Sequence, residues 1–277
     1  MSWCLTGDIT GFLAAAGGFL RSRAAENTVL LTVAETLSTR GSRVFGDADP
    51  VFGWWSADGE VSGAFLQTPP HPVLLAGSPD AAVTALAEAL DGRVLPGINA
   101  PGDAAQRFAA EWQRLTGATA EVARRVRLYR LGELAAPAVP GAARTAGAGD
   151  RTVLLAWYEE FAREIGEDSS ILAEHLDEAL DRGGILLWER DGAPVSTAAR
   201  TATVAGVARV APVYTPPGLR QRGYAGAVTA AVSRAALDGG ATGVVLFTDL
   251  ANPASNALYQ RLGFRPVHDR TVLSFAI

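Results

Sequence analysis

The sequence predicts an α/β (α+β) fold in two domains, each a mixed central sheet flanked by helices. Three observations carry this. Helically spaced segments alternate with short apolar runs along the whole chain. The order of those segments in the first half returns in the second. Between the halves lies "AAPAVPGAARTAGAGD" (135–150), rich in Ala, Gly and Pro and without periodic hydrophobicity. The expected organisation is a first domain over 1–134, a linker over 135–150 and a second domain over 151–277. A chain of 277 residues has length enough for two cores of modest size.

In the first half, helical spacing predicts helices over 8–22 and 25–39. "VFGWWSADGEVSGAFLQT" reads as a β-hairpin turning at Asp58-Gly59, a dipeptide suited to tight primed turns. "PHPVLLAG" supplies a short strand, and "SPDAAVTALAEAL" a helix with Ser78 as cap and Pro79 in its first turn. A strand near Val94, a helix over 102–116 and a strand over 124–130 complete the half.

The second half opens with two helices, "TVLLAWYEEFAREIG" and "SSILAEHLDEAL", the latter capped by Ser169 or Ser170. "GILLWERDGAPVSTAARTATVAGVARVAPVYTPP" gives successive strands with an Asp-Gly turn at Asp191-Gly192. A helix over 223–238 follows, then the strand "GVVLFTD", the helix "PASNALYQRL" and a last strand over 265–276. "EWQRLTG" (111–117) echoes "LYQRLGF" (258–264), and "NAPGDA" starts the earlier helix much as "NPASNA" starts the later one. We read the echo as duplication; two ordinary amphipathic helices with glycine stops are the plainer alternative.

Composition narrows the function. Hydrophobic content of 48% with 19% charged residues describes a folded globule, and a net charge of −5 offers no attraction to nucleic acid. All 24 basic residues are Arg, so no lysine nucleophile or Schiff base is available. Cys4 stands alone, which leaves no intrachain disulfide. His71, His175 and His268 are scattered, and no metal is expected. The apolar N-terminal stretch has Asp8 before it and Arg21 and Arg23 after, unlike a secretory signal, and is too short to span a membrane. The expected compartment is the cytoplasm, with no membrane partner.

Chemistry gathers in the second half. Pro212 in "VARVAPVYT" has no N–H to donate, so it interrupts a regular ladder and leaves neighbouring amides, such as those of Val213 and Thr215, available to a ligand. An edge-strand proline without further role is the simpler reading. Next comes Arg220-Gln221-Arg222-Gly223-Tyr224-Ala225, entering a helix whose first amides and dipole suit a pyrophosphate. Arg220 and Arg222 would add charge-assisted contacts. Taken alone, such arginines are more often solvated. After the next strand, Asn252 is placed as N-cap, Pro253 as first helical residue and Gly263 as stop. Asn252, Ser255 and Tyr259 then form a polar stripe, at offsets of four and seven from Tyr259.

A proline-bearing strand, then R-x-x-G-x-A, then N-x-x-S-x-x-x-Y-x-x-x-G-F: over about 185–277 this order resembles the GNAT superfamily of acetyl-CoA-dependent N-acetyltransferases. The resemblance implies acetyl-CoA as the cofactor. Arg220, Gln221, Arg222, Gly223, Tyr224 and Ala225 would wrap its pyrophosphate, while Val213, Tyr214 and Thr215 would pair with pantetheine. Asn252 and Ser255 would contact the cofactor arm, and Tyr259 would protonate the departing thiolate. The first half lacks the cofactor loop and has Trp112 where the later helix has Tyr259. It is expected to be a degenerate copy.

The implied reaction is direct attack of a primary amine on the thioester in a ternary complex. A Lys-like amine of pKa ~10.4 is neutral in only about 1 in 2,500 molecules at pH 7, a cost of ~4.6 kcal/mol. Something must take that proton, yet "VARVAPVYT" carries no carboxylate. Glu189, Glu159, Glu160, Asp249 and a water relay all stay open as bases. The acceptor, a small molecule or a peptide, is not readable. The acidic run Glu159, Glu160, Glu164, Glu167, Asp168 suits a cationic one but also fits an exposed helix face. An amino-sugar thiol precursor or a protein N-terminus is open as acceptor, and a homodimer as assembly. The alternatives from other classes are a non-catalytic acyl-CoA-binding sensor or regulator, and a structural dimerisation protein.

Overall fold

The computed structural model describes residues 1–166 and 175–276. Expected caps Ser169 and Ser170, and the acidic Glu167 and Asp168, lie outside the described residues. The chain forms two compact units: Met1–Leu128 with Thr248–Asn252 and Pro266–Ile277, and Tyr129–Phe247 with Pro253–Arg265. Each is a mixed sheet flanked by helices.

The first unit begins with β1 (Ser2–Thr6), a strand missing from the sequence reading, where short apolar residues ran on into the helix behind them. Helices α1 (Ile9–Ser22) and α2 (Thr28–Arg40) follow; the Asp8 carboxylate caps α1 by accepting from the amides of Thr10 and Gly11. The Asp58-Gly59 hairpin joins β2 (Val51–Ala57) to β3 (Glu60–Gln67). Then come β4 (Val73–Leu75), α3 (Asp80–Ala89), β5 (Gly97–Pro101) and α4 (Ala104–Thr116). Ser78 does not cap α3: its hydroxyl donates back to the Ala76 carbonyl at 3.0 Å, and Pro79 holds the cap position. The strand expected near Val94 lies later, at β5, and Val94 is 83% exposed in the turn before it.

β6 (Thr119–Leu131) leads out of the first unit, and the C-terminal strand β12 (Phe264–Ala276) returns to it, pairing antiparallel with β5 from Arg270↔Pro101 to Ser274↔Gly97. Burial lowers the Arg270 pKa to about 10, and its guanidinium donates to the Asn99 side chain and to the carbonyls of Asn99 and Leu75. Phe65, Leu75, Leu86, Ile98, Phe108 and Trp112 lie in the core of this unit. Trp112 stacks on Phe108 at 5.8 Å, a packing role and not a polar one.

The second unit takes in the expected linker. Residues 142–145 form β7 (Ala142–Thr145), antiparallel to β8 (Ile185–Arg190), and Arg144 joins Asp150 at 2.6 Å and Glu189 at 2.7 Å. The stretch lacks hydrophobic periodicity because backbone pairing and ion pairs hold it. The boundaries therefore differ from 1–134 and 151–277 at both ends: 129–150 lie in the second unit and 266–276 in the first. Helices α5 (Arg151–Ile165) and α6 (Leu176–Asp181) precede β9 (Ala193–Arg200), β10 (Val207–Tyr214), α7 (Tyr224–Asp238), β11 (Gly243–Asp249) and α8 (Pro253–Arg261). The strand order here is β7-β8-β9-β10-β11, antiparallel up to β10 and parallel between β10 and β11. Core residues around α7 include Val228, Val232, Leu246 and Phe264; those around α5 include Leu154, Trp157, Ile185 and Tyr214.

Candidate active site

β10 breaks its register against β9 between Val210 and Val213, around Pro212, as a proline without a donor requires. Beyond the break, Val213 faces Ala198 and Tyr214 faces Thr197. Ser196 stabilises this end of the strand. Its hydroxyl donates to the Tyr214 carbonyl at 2.9 Å and lies 2.8 Å from the Thr215 hydroxyl. Ser196 was not among the sequence candidates, because its importance comes from register across β9 and not from any motif.

The loop after β10 leads into α7 through a short turn at Pro217–Leu219. Gln221 (φ 62°) and Gly223 (φ 84°) both adopt left-handed backbone, Gly223 as the N-cap of α7. Left-handed backbone of this kind can gather neighbouring amides into an anion-binding turn. The first amides of the 15-residue α7 have no carbonyl one turn earlier to pair with. Arg220, Gln221, Arg222 and Gly223 are exposed. A Cβ at Gly223 would meet Val139 Cγ2 at 2.9 Å, and one at Gly226 would meet Leu258 Cδ1 at 3.1 Å. Glycine is thus required at 223 by both backbone angle and space.

The side chains divide differently from the motif. Arg220 is not a spare cation: its Nη2 pairs with Glu164 at 2.6 Å and its Nε donates to the Thr215 carbonyl at 2.9 Å. Its guanidinium lies 5.8 Å from the centre of the Tyr214 ring. Arg222 donates to the Gly218 carbonyl at 3.3 Å. Tyr224 is buried and its hydroxyl accepts from Arg190 at 3.0 Å, so what it offers a ligand is its amide. Ala225 is half-buried and keeps the first turn of α7 bare. Tyr214 is buried too, ringed by Trp157 and Phe161, and donates to Glu160 Oε2 at 2.5 Å. Burial first, and then the Glu160 carboxylate, push its pKa up to about 12.

Asn252 sits in the turn before α8, its amide donating to the Asp249 carbonyl at 3.1 Å, and Pro253 opens the helix. Ser255 is half-buried on α8. Tyr259, four residues on, is 8% exposed and packs edge-on to Phe264 at 6.1 Å. Burial pushes its pKa up to about 12. On the same helix Asn256 and Gln260 hold the buried Tyr129 of β6, which donates to Asn256 at 2.9 Å and accepts from Gln260 at 3.0 Å. Gly263 (φ 94°) ends the turn after α8, and a Cβ there would collide with the Glu133 carbonyl.

Of the open bases, Glu189 is paired with Arg144, Asp249 accepts from the Ala251 amide at 2.7 Å, and Glu159 is exposed. Glu160 faces Tyr214. No group of three or more His, Cys, Asp or Glu that could hold a metal occurs among the described residues, nor does a helix long and apolar enough to cross a membrane.

A strand with a register break, a loop with two left-handed residues and a helix N-terminus follow one another here, an order that can hold an anion. The family model described as "Acetyltransferase (GNAT) family" matches residues 153–264, so this part of the chain is similar to that family. No curated protein matches the chain. Among solved structures, a GNAT-family acetyltransferase from Colwellia psychrerythraea is similar over 100% of both chains, with a TM-score of 0.62 at 13% identity. A GCN5-related N-acetyltransferase from Sphaerobacter thermophilus is similar over 98% of this chain and 94% of its own, with a TM-score of 0.63 at 18% identity. A Drosophila protein reaches 0.68 at 14% identity over 99% and 98%. At such identities the likeness is one of fold.

Proposed function

We propose that the chain is an N-acetyltransferase that moves an acetyl group from acetyl-CoA to a primary amine within a ternary complex. The family supports acyl transfer. The observation that carries the acetyl-CoA reading is the pair of left-handed residues, Gln221 and Gly223, at the head of α7. The amides from Gln221 to Gly226 would hold the diphosphate, with Arg222 beside them. The amides of Val213 and Thr215, beyond the break in β10, would pair with the pantetheine arm. Asn252 and Ser255 would contact the same arm ahead of Tyr259.

Burial keeps the Tyr259 hydroxyl protonated at neutral pH, which suits a donor. With its pKa at about 12 against about 8.5 for a thiol, complete proton transfer would be uphill by roughly 5 kcal/mol. Tyr259 therefore serves as a hydrogen-bond donor that stabilises developing charge on the sulfur, and the thiolate takes its final proton from elsewhere. The first unit, with Trp112 packed in its core, is proposed as a degenerate copy without its own cofactor loop.

The test is acetyl-CoA binding by calorimetry. Gly223→Val, strained by φ and crowded by Val139, should weaken affinity at least 50-fold and lower the melting temperature, while circular dichroism shows the fold retained. Unchanged affinity in the folded variant would remove the diphosphate cradle from this loop. Tight binding without thiol release from broad amine pools would leave the sensor reading in its place.

A further inference from the structure

We propose that Glu160 is the proton acceptor for the incoming amine and that Tyr214 is the positioning residue that holds it. The inference rests on the acyl-transfer reading above and supplies the base that β10 itself lacks.

Geometry singles out this carboxylate. Glu160 lies on α5, and its Oε2 accepts from the buried Tyr214 hydroxyl at 2.5 Å. Tyr214 is the middle residue of the three beyond the break in β10 that are assigned to the acyl donor. Trp157, Phe161 and the Arg220 guanidinium fix its ring. One carboxylate oxygen, Oε2, is thus held at the Tyr214 hydroxyl. Glu164, one turn along α5, is bound to Arg220, and Glu189 is bound to Arg144. Among the described residues no cation is paired with Glu160, which is half-buried and not spread into solvent. A half-buried carboxylate without a paired cation is one that an incoming ammonium group can pair with by a charge-assisted hydrogen bond.

The step balances. An N–H bond of the substrate ammonium breaks and its proton goes to Glu160 Oε1. The freed lone pair forms the C–N bond to the thioester carbonyl, and the C–S bond breaks. The second proton lost by nitrogen ends on the thiol sulfur, to whose charge Tyr259 donates. Glu160 then returns its proton to solvent.

The experiment follows thiol release from acetyl-CoA with two acceptor sets: alkyl amines and lysine peptides, protonated at neutral pH, and aromatic amines, neutral there. Glu160→Gln keeps the acceptor oxygen for Tyr214 but cannot take a proton. It should lower kcat/KM at least 100-fold for alkyl amines and less than fivefold for aromatic ones, with acetyl-CoA affinity within twofold of wild type. Tyr214→Phe should lose 5- to 20-fold with alkyl amines only, and Glu160→Asp should recover part of the Gln loss. Equal losses in both sets, or none, would overturn the assignment, as would wild-type enzyme that acylates neither set or only aromatic amines. Failure of the wild type to bind acetyl-CoA at all would instead bring down the acyl-transfer reading itself.

Discussion

In Tyr259 the packing of the core meets the chemistry proposed for it. Its ring belongs to the α7 core beside Phe264, and the same burial that packs it holds its proton. Tyr259→Phe should keep the fold and the acetyl-CoA affinity while lowering kcat at least tenfold, read as thiol release with alkyl amines. Since burial raises its folded pKa from about 10 to about 12, its share of stability is full below pH 10 and is lost as pH rises through 12. Alkaline unfolding should accordingly be shallower in Tyr259→Phe. The place of Tyr259 on a helix, one turn after Ser255, was legible in the sequence because that offset is local. The pairing of Arg220 with Glu164 was not legible for the opposite reason: Glu164 lies 56 residues away in the chain, and only folding brings their charges together.

At the scale of elements, the residues between the halves are the instructive case. Arg144 on β7 donates to Asp150 at the head of α5 and to Glu189 on β8, tying three elements with one guanidinium. Hydrogen bonding from Arg144 leads the causes that lower the Asp150 pKa to about 2. A depressed carboxylate contributes stability above its unfolded pKa of about 3.9 and loses it as pH falls through 2. Acid titration of chemical stability should show about 2 kcal/mol more loss between pH 4 and pH 2 in wild type than in Asp150→Asn. The turns at Asp58-Gly59 and Asp191-Gly192 and the helix opening at Pro253 were readable, being decided within a few residues. β1 and β7 were not, and β5 lies a few residues later than expected, because short strands without alternation are chosen by their partners.

For the whole molecule, the decisive fact is that β12 belongs mainly with the first unit although the sequence assigns it to the second. Its backbone pairs with β5, and buried Arg270 donates to Asn99 and to the Leu75 carbonyl. A chain divided at residue 134 would leave β5 with an open edge and Asn99 without its partner. Separately expressed 1–134 and 135–277 should therefore be poorly soluble, whereas the full chain gives one soluble product by size-exclusion chromatography. Two soluble, cooperatively melting halves would contradict this organisation.

The sequence by itself determined the alternating α/β plan, the two-part character and the order of strand, glycine loop and polar helix stripe. Each depends on local spacing and on residues such as Pro212 and Gly223 that restrict their own backbone. Tertiary structure alone decided where the last strand pairs, that Arg220 serves Glu164, that Ser196 pins Thr215, and that Tyr214 holds Glu160. Those contacts join residues far apart in the chain, and no spacing rule encodes which of several like charges a strand will meet.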